Sequence, residues 1–190
     1  MHKKRIIIAI TGATGAVYGV RMLQVLKAQD EWETHFVISD AGVLNLKYEM
    51  NIKRAELAAL ADVSHGVNDI AASIASGGFK TEGMIVAPCS MKTLAAISHG
   101  IGDNLISRAA DVVLKERRRL LLMPREAPLN LIQIRNMATV TEAGAIVFPP
   151  MPAFYNKSDS LADMVNETVG RILDMFGVNV DGLYKPWEGM

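Results

Sequence analysis

Six cationic side chains, Arg108, Lys115, Arg117, Arg118, Arg119 and Arg125, gather around an apolar run within residues 104–129, NLISRAADVVLKERRRLLLMPREAPL. The chain has 20 basic and 20 acidic residues and no net charge, so such a cluster marks either a local anion site or a solvated helix face. Arg125 follows LLLMP directly. It therefore falls where a buried strand ends, the ligand edge of an open α/β sheet. Arg108 and Lys115 are seven positions apart and share one helical face. Arg117, Arg118 and Arg119 fan out around the helix end, where solvation or a bridge between subunits is expected.

Two more strand ends carry polar groups. In RIIIAITGATGAVYG a strand enters Gly12 and Gly15 and then a helix, which presents backbone N–H groups and a positive helix terminus to a phosphate or other anion. Glycines in such a turn also serve purely conformational needs. The turn is similar to the TGxxGxxG of extended short-chain dehydrogenases, with Asp40 in the place of a ribose partner. Its third glycine, however, is Gly19, one place late, and no Tyr-x-x-x-Lys pair occurs. In GMIVAPCSMKTLAA, Pro88 stops a strand and Ser90, Met91, Lys92 and Thr93 open the next helix, offering hydroxyls, free N–H groups and a cation to a polar ligand. Cys89 lacks a histidine at informative spacing and reads as a small buried residue. His2, His35, His65 and His99 show no metal spacing, and HExxH, CxxC and Asp-Asp patterns are missing, so no metal is expected.

The elements that position these residues follow from hydrophobic period. Short β-branched or leucine-rich runs at 5–10, 34–39, 83–87, 119–123 and 145–148 alternate with helical segments at 17–28, 41–50, 53–62, 91–98, 103–118, 129–142 and 161–176. That alternation predicts an α/β fold, a parallel sheet covered by helices on both faces. Ser160 and Asp163 offer a capping box to the last helix. Residues 63–81 give no clear pattern, and the tail from about 179 reads as irregular.

Bulk properties frame the rest. One domain spanning 1–190 can bury a core without disulfides or metals. Zero net charge argues against nucleic acid and anionic membrane as partners, and the interrupted apolar start reads as a first strand, with no membrane segment. A single cysteine fits a reducing cytoplasm. Half of the residues are hydrophobic, 11 are methionine and the mean hydropathy is +0.19, which implies substantial subunit interfaces.

TGATGAVYG, the strand end at Ser39, PCSMKTLAA, RAADVVLKERR, PREAPL and PAFY occur in one order across nearly the whole chain. Together they closely resemble the flavin prenyltransferase family, the UbiX-like proteins once described as aromatic or phenolic acid decarboxylase subunits. The resemblance implies a three-layer Rossmann or flavodoxin-like α/β domain that binds FMN, is assembled as a dodecamer, and joins the dimethylallyl group of dimethylallyl monophosphate to N5 and C6 of reduced FMN without a metal. The prenylated FMN would serve a UbiD-like decarboxylase. By motif match, Gly12, Ala13, Thr14, Ser39, Ser90, Met91, Lys92, Thr93 and Arg125 would hold FMN. Tyr155 and Arg171 would meet the substrate phosphate, with Arg108, Lys115 and Glu126 completing the polar pocket. Glu49 and the Thr14 hydroxyl would assist proton loss, and Trp187 or Tyr155 would offer an aromatic face to an allyl cation.

The chemistry is consistent with those residue types. Ionising an allylic phosphate needs several donors on the departing anion, and charge-assisted hydrogen bonds of about 1.5–3 kcal/mol each can replace a metal there. Many family members have serine where this chain has Thr14, and the extra methyl restricts χ1 beside the flavin. At Lys92 the backbone, not the amine, is the expected contact. Two other readings stand beside this one: an FMN-binding subunit without catalysis, and an FMN-dependent cysteine decarboxylase of the same fold. The latter type depends on a histidine near the first helix, and none lies between His2 and His35.

Overall fold

The computed structural model describes residues 3–184, 186 and 189. Its single sheet has six parallel strands, β1 (Lys4–Ile10), β2 (Trp32–Ile38), β3 (Val63–His65), β4 (Gly83–Cys89), β5 (Arg119–Pro124) and β6 (Ile146–Val147), in spatial order β3-β2-β1-β4-β5-β6. The helices are α1 (Ala16–Lys27), α2 (Asp40–Met50), α3 (Arg54–Ala58), α4 (Met91–Ser98), α5 (Leu105–Lys115), α6 (Leu131–Glu142) and α7 (Leu161–Asp174). Layering follows from β1, whose isoleucine run is buried on both faces. Ile6, Ile8 and Ile10 pack with Leu23 and Leu26 of α1 and Ile172 and Leu173 of α7. Ile7 and Ala9 point the other way, toward Leu94 of α4 and Leu105, Ala109 and Val113 of α5.

The five expected strands take the order β2-β1-β4-β5-β6, the flavodoxin-like arrangement. β3 is an addition at the β2 edge. Three residues, two of them exposed, are too few for a periodic signal. Asp62 fixes its place: Oδ2 accepts from Thr34 N at 2.8 Å and from Thr34 Oγ1 at 2.9 Å, and Asp62 N donates to Thr34 Oγ1 at 3.0 Å. That anchorage also ends α3 at Ala58, short of the helix expected to residue 62.

The cations after α5 are not simply solvated. Arg118 donates through its two terminal nitrogens to Phe79 O at 2.8 Å and Gly77 O at 2.7 Å, and so straps the segment before β4 to the sheet. The Arg119 guanidinium lies 5.4 Å from the Phe176 ring centre. Arg118→Ala is therefore expected to cost about 1–2 kcal/mol in chemical denaturation, because two carbonyls lose a charged donor. Flavin binding should be unchanged in the folded variant.

Candidate cofactor and substrate site

Chain order reverses between β1 and β4, and a cavity of about 670 Å³ opens beyond their C-terminal ends. Gly12, Ser39, Asp40, Ala41, Ser90, Met91, Lys92 and Thr93 line it, together with Val67, Asn68, Asp103, Asn104 and Ile106. Two helix N-termini meet there. Ser39 caps α2 by accepting from Gly42 N at 3.1 Å, and Ser90 caps α4 by accepting from Thr93 N at 3.3 Å. The remaining first-turn N–H groups have no intrahelical acceptor and suit an anionic group. Gly12 is required by packing, since a Cβ there would stand 2.4 Å from Ala41 Cβ. Gly19 has the same role one helix away, where a Cβ would stand 2.5 Å from Ala87 O.

Six of the nine expected flavin residues thus line one cavity; Ala13, Thr14 and Arg125 do not. Ala13 is buried under the turn, Thr14 is exposed on it, and Arg125 is exposed just beyond β5. Thr11, Val67, Asn68, Asp103 and Asn104 were not predicted. Asn104 carried a legible signal as an N-cap residue, accepting from Ile106 N at 2.9 Å and Ser107 N at 3.2 Å.

The N-terminus of α1 differs from the expectation. Its anion is the chain's own: the Glu49 carboxylate accepts from Gly15 N at 3.0 Å and Ala16 N at 3.0 Å. The glycine turn therefore supplies close packing and shape, while the free N–H groups belong to α2 and α4. Glu49→Ala is expected to lower stability by about 0.5–1 kcal/mol, the loss of an exposed cap. Glu49→Gln keeps an acceptor oxygen and should lose less in the same denaturation experiment.

A second cavity of about 240 Å³ brings Tyr155 and Arg171 together. Tyr155 stands on the short 3-10 turn Phe154–Asn156, and Arg171 on α7. One Arg171 nitrogen is 3.5 Å from Asp174 Oδ2, and its guanidinium lies 5.8 Å from the Tyr184 ring centre. Glu167, one turn before Arg171, lines the same cavity. Burial and then the Asp163 charge push its carboxyl above the usual range.

Other expected residues are not brought to either cavity within one chain. Arg108 donates to Ala75 O at 3.3 Å and to Asp111 Oδ2 at 2.9 Å. Lys115 pairs with Glu116 at the far end of α5, about 15 Å along the helix from Leu105. A shared helical face did not make Arg108 and Lys115 neighbours of the strand ends, because α5 runs away from them. Glu126 is exposed and accepts from Ala127 N at 3.2 Å. Trp187 lies outside the described residues. Burial pushes the Cys89 thiol up to about 12, so it stays protonated and is no nucleophile. Among the described residues no group of His, Cys, Asp and Glu could hold a metal ion.

A doubly wound sheet with two capped helix N-termini framing a polar cavity at its switch point defines an α/β protein of the nucleotide-cofactor-binding class. The flavoprotein family model matches residues 1–175. The flavin prenyltransferase UbiX of Escherichia coli K12 is 51% identical over 187 residues, which covers 98% of this chain and 99% of that one. The crystal structure of AnUbiX (PadA1) in complex with FMN and dimethylallyl pyrophosphate superimposes with a TM-score of 0.95 at 50% identity over 100% of both chains. A dodecameric FMN-dependent UbiX-like decarboxylase from Escherichia coli O157:H7 gives 0.94 at 48%, covering 97% of this chain and 100% of that one. The chain belongs to the flavin prenyltransferase family of UbiX-like flavoproteins. The peptidyl-cysteine decarboxylase EpiD, at 19% identity and a TM-score of 0.61, shares the fold alone.

Proposed function

We propose that this chain is a metal-independent prenyltransferase that joins the dimethylallyl group of dimethylallyl monophosphate to N5 and C6 of reduced FMN, giving prenylated FMN for a UbiD-like decarboxylase. The observation that carries this reading is the switch-point cavity, lined by Gly12, Ser39, Ser90, Met91, Lys92 and Thr93 in a chain half identical to flavin prenyltransferases. Those residues fit FMN: the α2 and α4 N-termini suit its phosphate, and Gly12 leaves room where a side chain would collide. Reduced FMN, when bound, supplies the nucleophilic atoms. Arg125, Ala13 and Thr14 would complete its surroundings from the rim and the turn.

The chain's own residues manage the phosphate and the protons. Breaking the allylic C–O bond leaves the electron pair on phosphate, and Arg171 and Tyr155 can donate to that anion. Arg108, Lys115 and Glu126 join this pocket in our reading only if neighbouring copies supply them. A dodecamer, as in the relative from Escherichia coli O157:H7, would do so. Exposed apolar side chains, among them Ile132 at 70%, Phe154 at 77% and Leu161 at 81%, support such interfaces. Glu49, whose carboxylate reaches the glycine turn from α2, and the Thr14 hydroxyl on that turn would take up a proton, and Trp187 would cover the allyl cation. No helix among the described residues is long and apolar enough to cross a membrane. The single cysteine supports a reducing cytoplasm as the protein's location.

The test is anaerobic incubation of the purified protein with reduced FMN and dimethylallyl monophosphate, followed by mass spectrometry of the flavin. Added mass of one dimethylallyl group is expected. Bound but unmodified flavin would instead favour a non-catalytic FMN-binding subunit.

A further inference from the structure

His35 is buried in the middle of β2, 2% exposed, and both of its ring nitrogens are engaged. Nδ1 lies 2.9 Å from Nε2 of His65 on edge strand β3, and Nε2 lies 2.8 Å from Glu33 Oε1. The two imidazoles stack with centroids 5.2 Å apart and 13° between planes, and the Phe79 ring meets His35 nearly at right angles. Glu33 also accepts from Arg5 Nε at 2.9 Å. The hydrogen bond from His35, and then that from Arg5, hold its carboxyl below the usual range.

The proton positions follow from this network. A carboxylate only accepts, so His35 Nε2 carries a proton. With the pair neutral, His65 Nε2 donates to His35 Nδ1. Without that donor His35 Nδ1 would be a buried acceptor with no partner. The charged groups around His65 are His35 and Glu33 on β2, Arg5 on β1, Asp69 in the loop that follows, and Arg54 of α3, which reaches the His65 carbonyl at 3.4 Å. Burial, and then His35, lower the pKa of His65, against a smaller opposing effect of Asp69.

The chain leaves His65 through Gly66 into Val67 and Asn68, both of which line the switch-point cavity. Val67 O also accepts from Leu105 N at 2.8 Å, tying this wall to the start of α5. We propose that His65, held by His35, is a positioning residue for the flavin site: the bonded pair keeps Val67 and Asn68 in place, and loss of the bond frees them and weakens FMN binding. This rests on the FMN reading above.

Flavin fluorescence quenching on the intact chain at pH 8 compares wild type with His65→Gln and His65→Leu. Glutamine keeps an N–H donor for His35 Nδ1 and should bind FMN as wild type does. Leucine leaves that buried nitrogen without a partner and should weaken FMN binding about tenfold, the scale of one lost hydrogen bond to a buried acceptor. Equal affinity of His65→Leu and wild type would overturn the proposal. Hydrogen exchange of the Leu105 amide, which donates to Val67 O, should lose protection in His65→Leu without flavin, relative to amides of β1. Unchanged protection would also overturn it, whether or not the chain binds FMN. Wild type that fails to bind FMN at pH 8 would defeat the functional reading alone.

Discussion

Arg171→Ala should lower kcat/KM for dimethylallyl monophosphate by about 10–100-fold, the range expected when a charged donor to a phosphate is removed, while FMN stays bound. Arg171 belongs to the second cavity, with Tyr155 and Glu167, and lines no part of the switch-point cavity. Its side chain is 48% exposed, which keeps the expectation below the full value of a buried pair. Tyr155→Phe removes a neutral donor and should cost about threefold to tenfold. Arg171→Lys keeps the charge but loses the planar fork, so a loss between wild type and alanine is expected. Arg125→Ala, just beyond β5, should weaken flavin retention as well as turnover if Arg125 holds FMN as proposed. Steady-state kinetics and FMN titration of the same preparations decide the matter. Equal loss of flavin and turnover in Arg171→Ala would show that the two cavities do not divide the two ligands as proposed.

Much of the fold was legible because its signals are local. The isoleucine run of β1, the leucines of β5 and the turn residues that follow each strand lie within a few positions of one another, so their periods and boundaries can be read directly. Ser90 was legible for the same reason, as a residue that opens a helix, whereas Ser39 was read as a strand end and proves to cap α2. The pairings that shape the site are not local. Glu49 reaches Gly15 across 34 positions, and His35 meets His65 across 30. Neither pairing has a period. Each exists only because β1, β2 and β3 are neighbours in the sheet. The face shared by Arg108 and Lys115 was read correctly as helical spacing, but a helix also has a direction, and only the packed sheet shows which end meets the ligand edge. α6 makes the complementary point. Asn130 and Gln133 form its capping box, an unread local signal, whereas the box expected at Ser160 is modified, the hydroxyl donating to Asp163 Oδ2 at 2.6 Å.

A third long-range connection, between Thr11 and Ser90, carries the other large prediction. Thr11 is 1% exposed, and its hydroxyl donates to Pro88 O at 2.9 Å while accepting from Ser90 N at 2.7 Å. One side chain at the end of β1 thereby fixes the end of β4 and the start of α4, the two borders of the switch-point cavity. Thr11→Val nearly preserves volume but leaves Ser90 N–H without its acceptor, so a stability loss of about 1–3 kcal/mol is expected by urea denaturation. The β1 to β4 contact would survive in part, because Thr11 N also donates to Pro88 O at 3.1 Å. The damage should therefore concentrate at Ser90, Met91, Lys92 and Thr93 and appear as weaker FMN binding in protein that is still folded. Thr11→Ser restores the hydroxyl without the methyl and should recover most of the affinity. A valine variant that binds FMN as wild type does would mean that the α4 N-terminus is positioned by packing alone, since no other hydrogen bond to Ser90 N would remain to hold it.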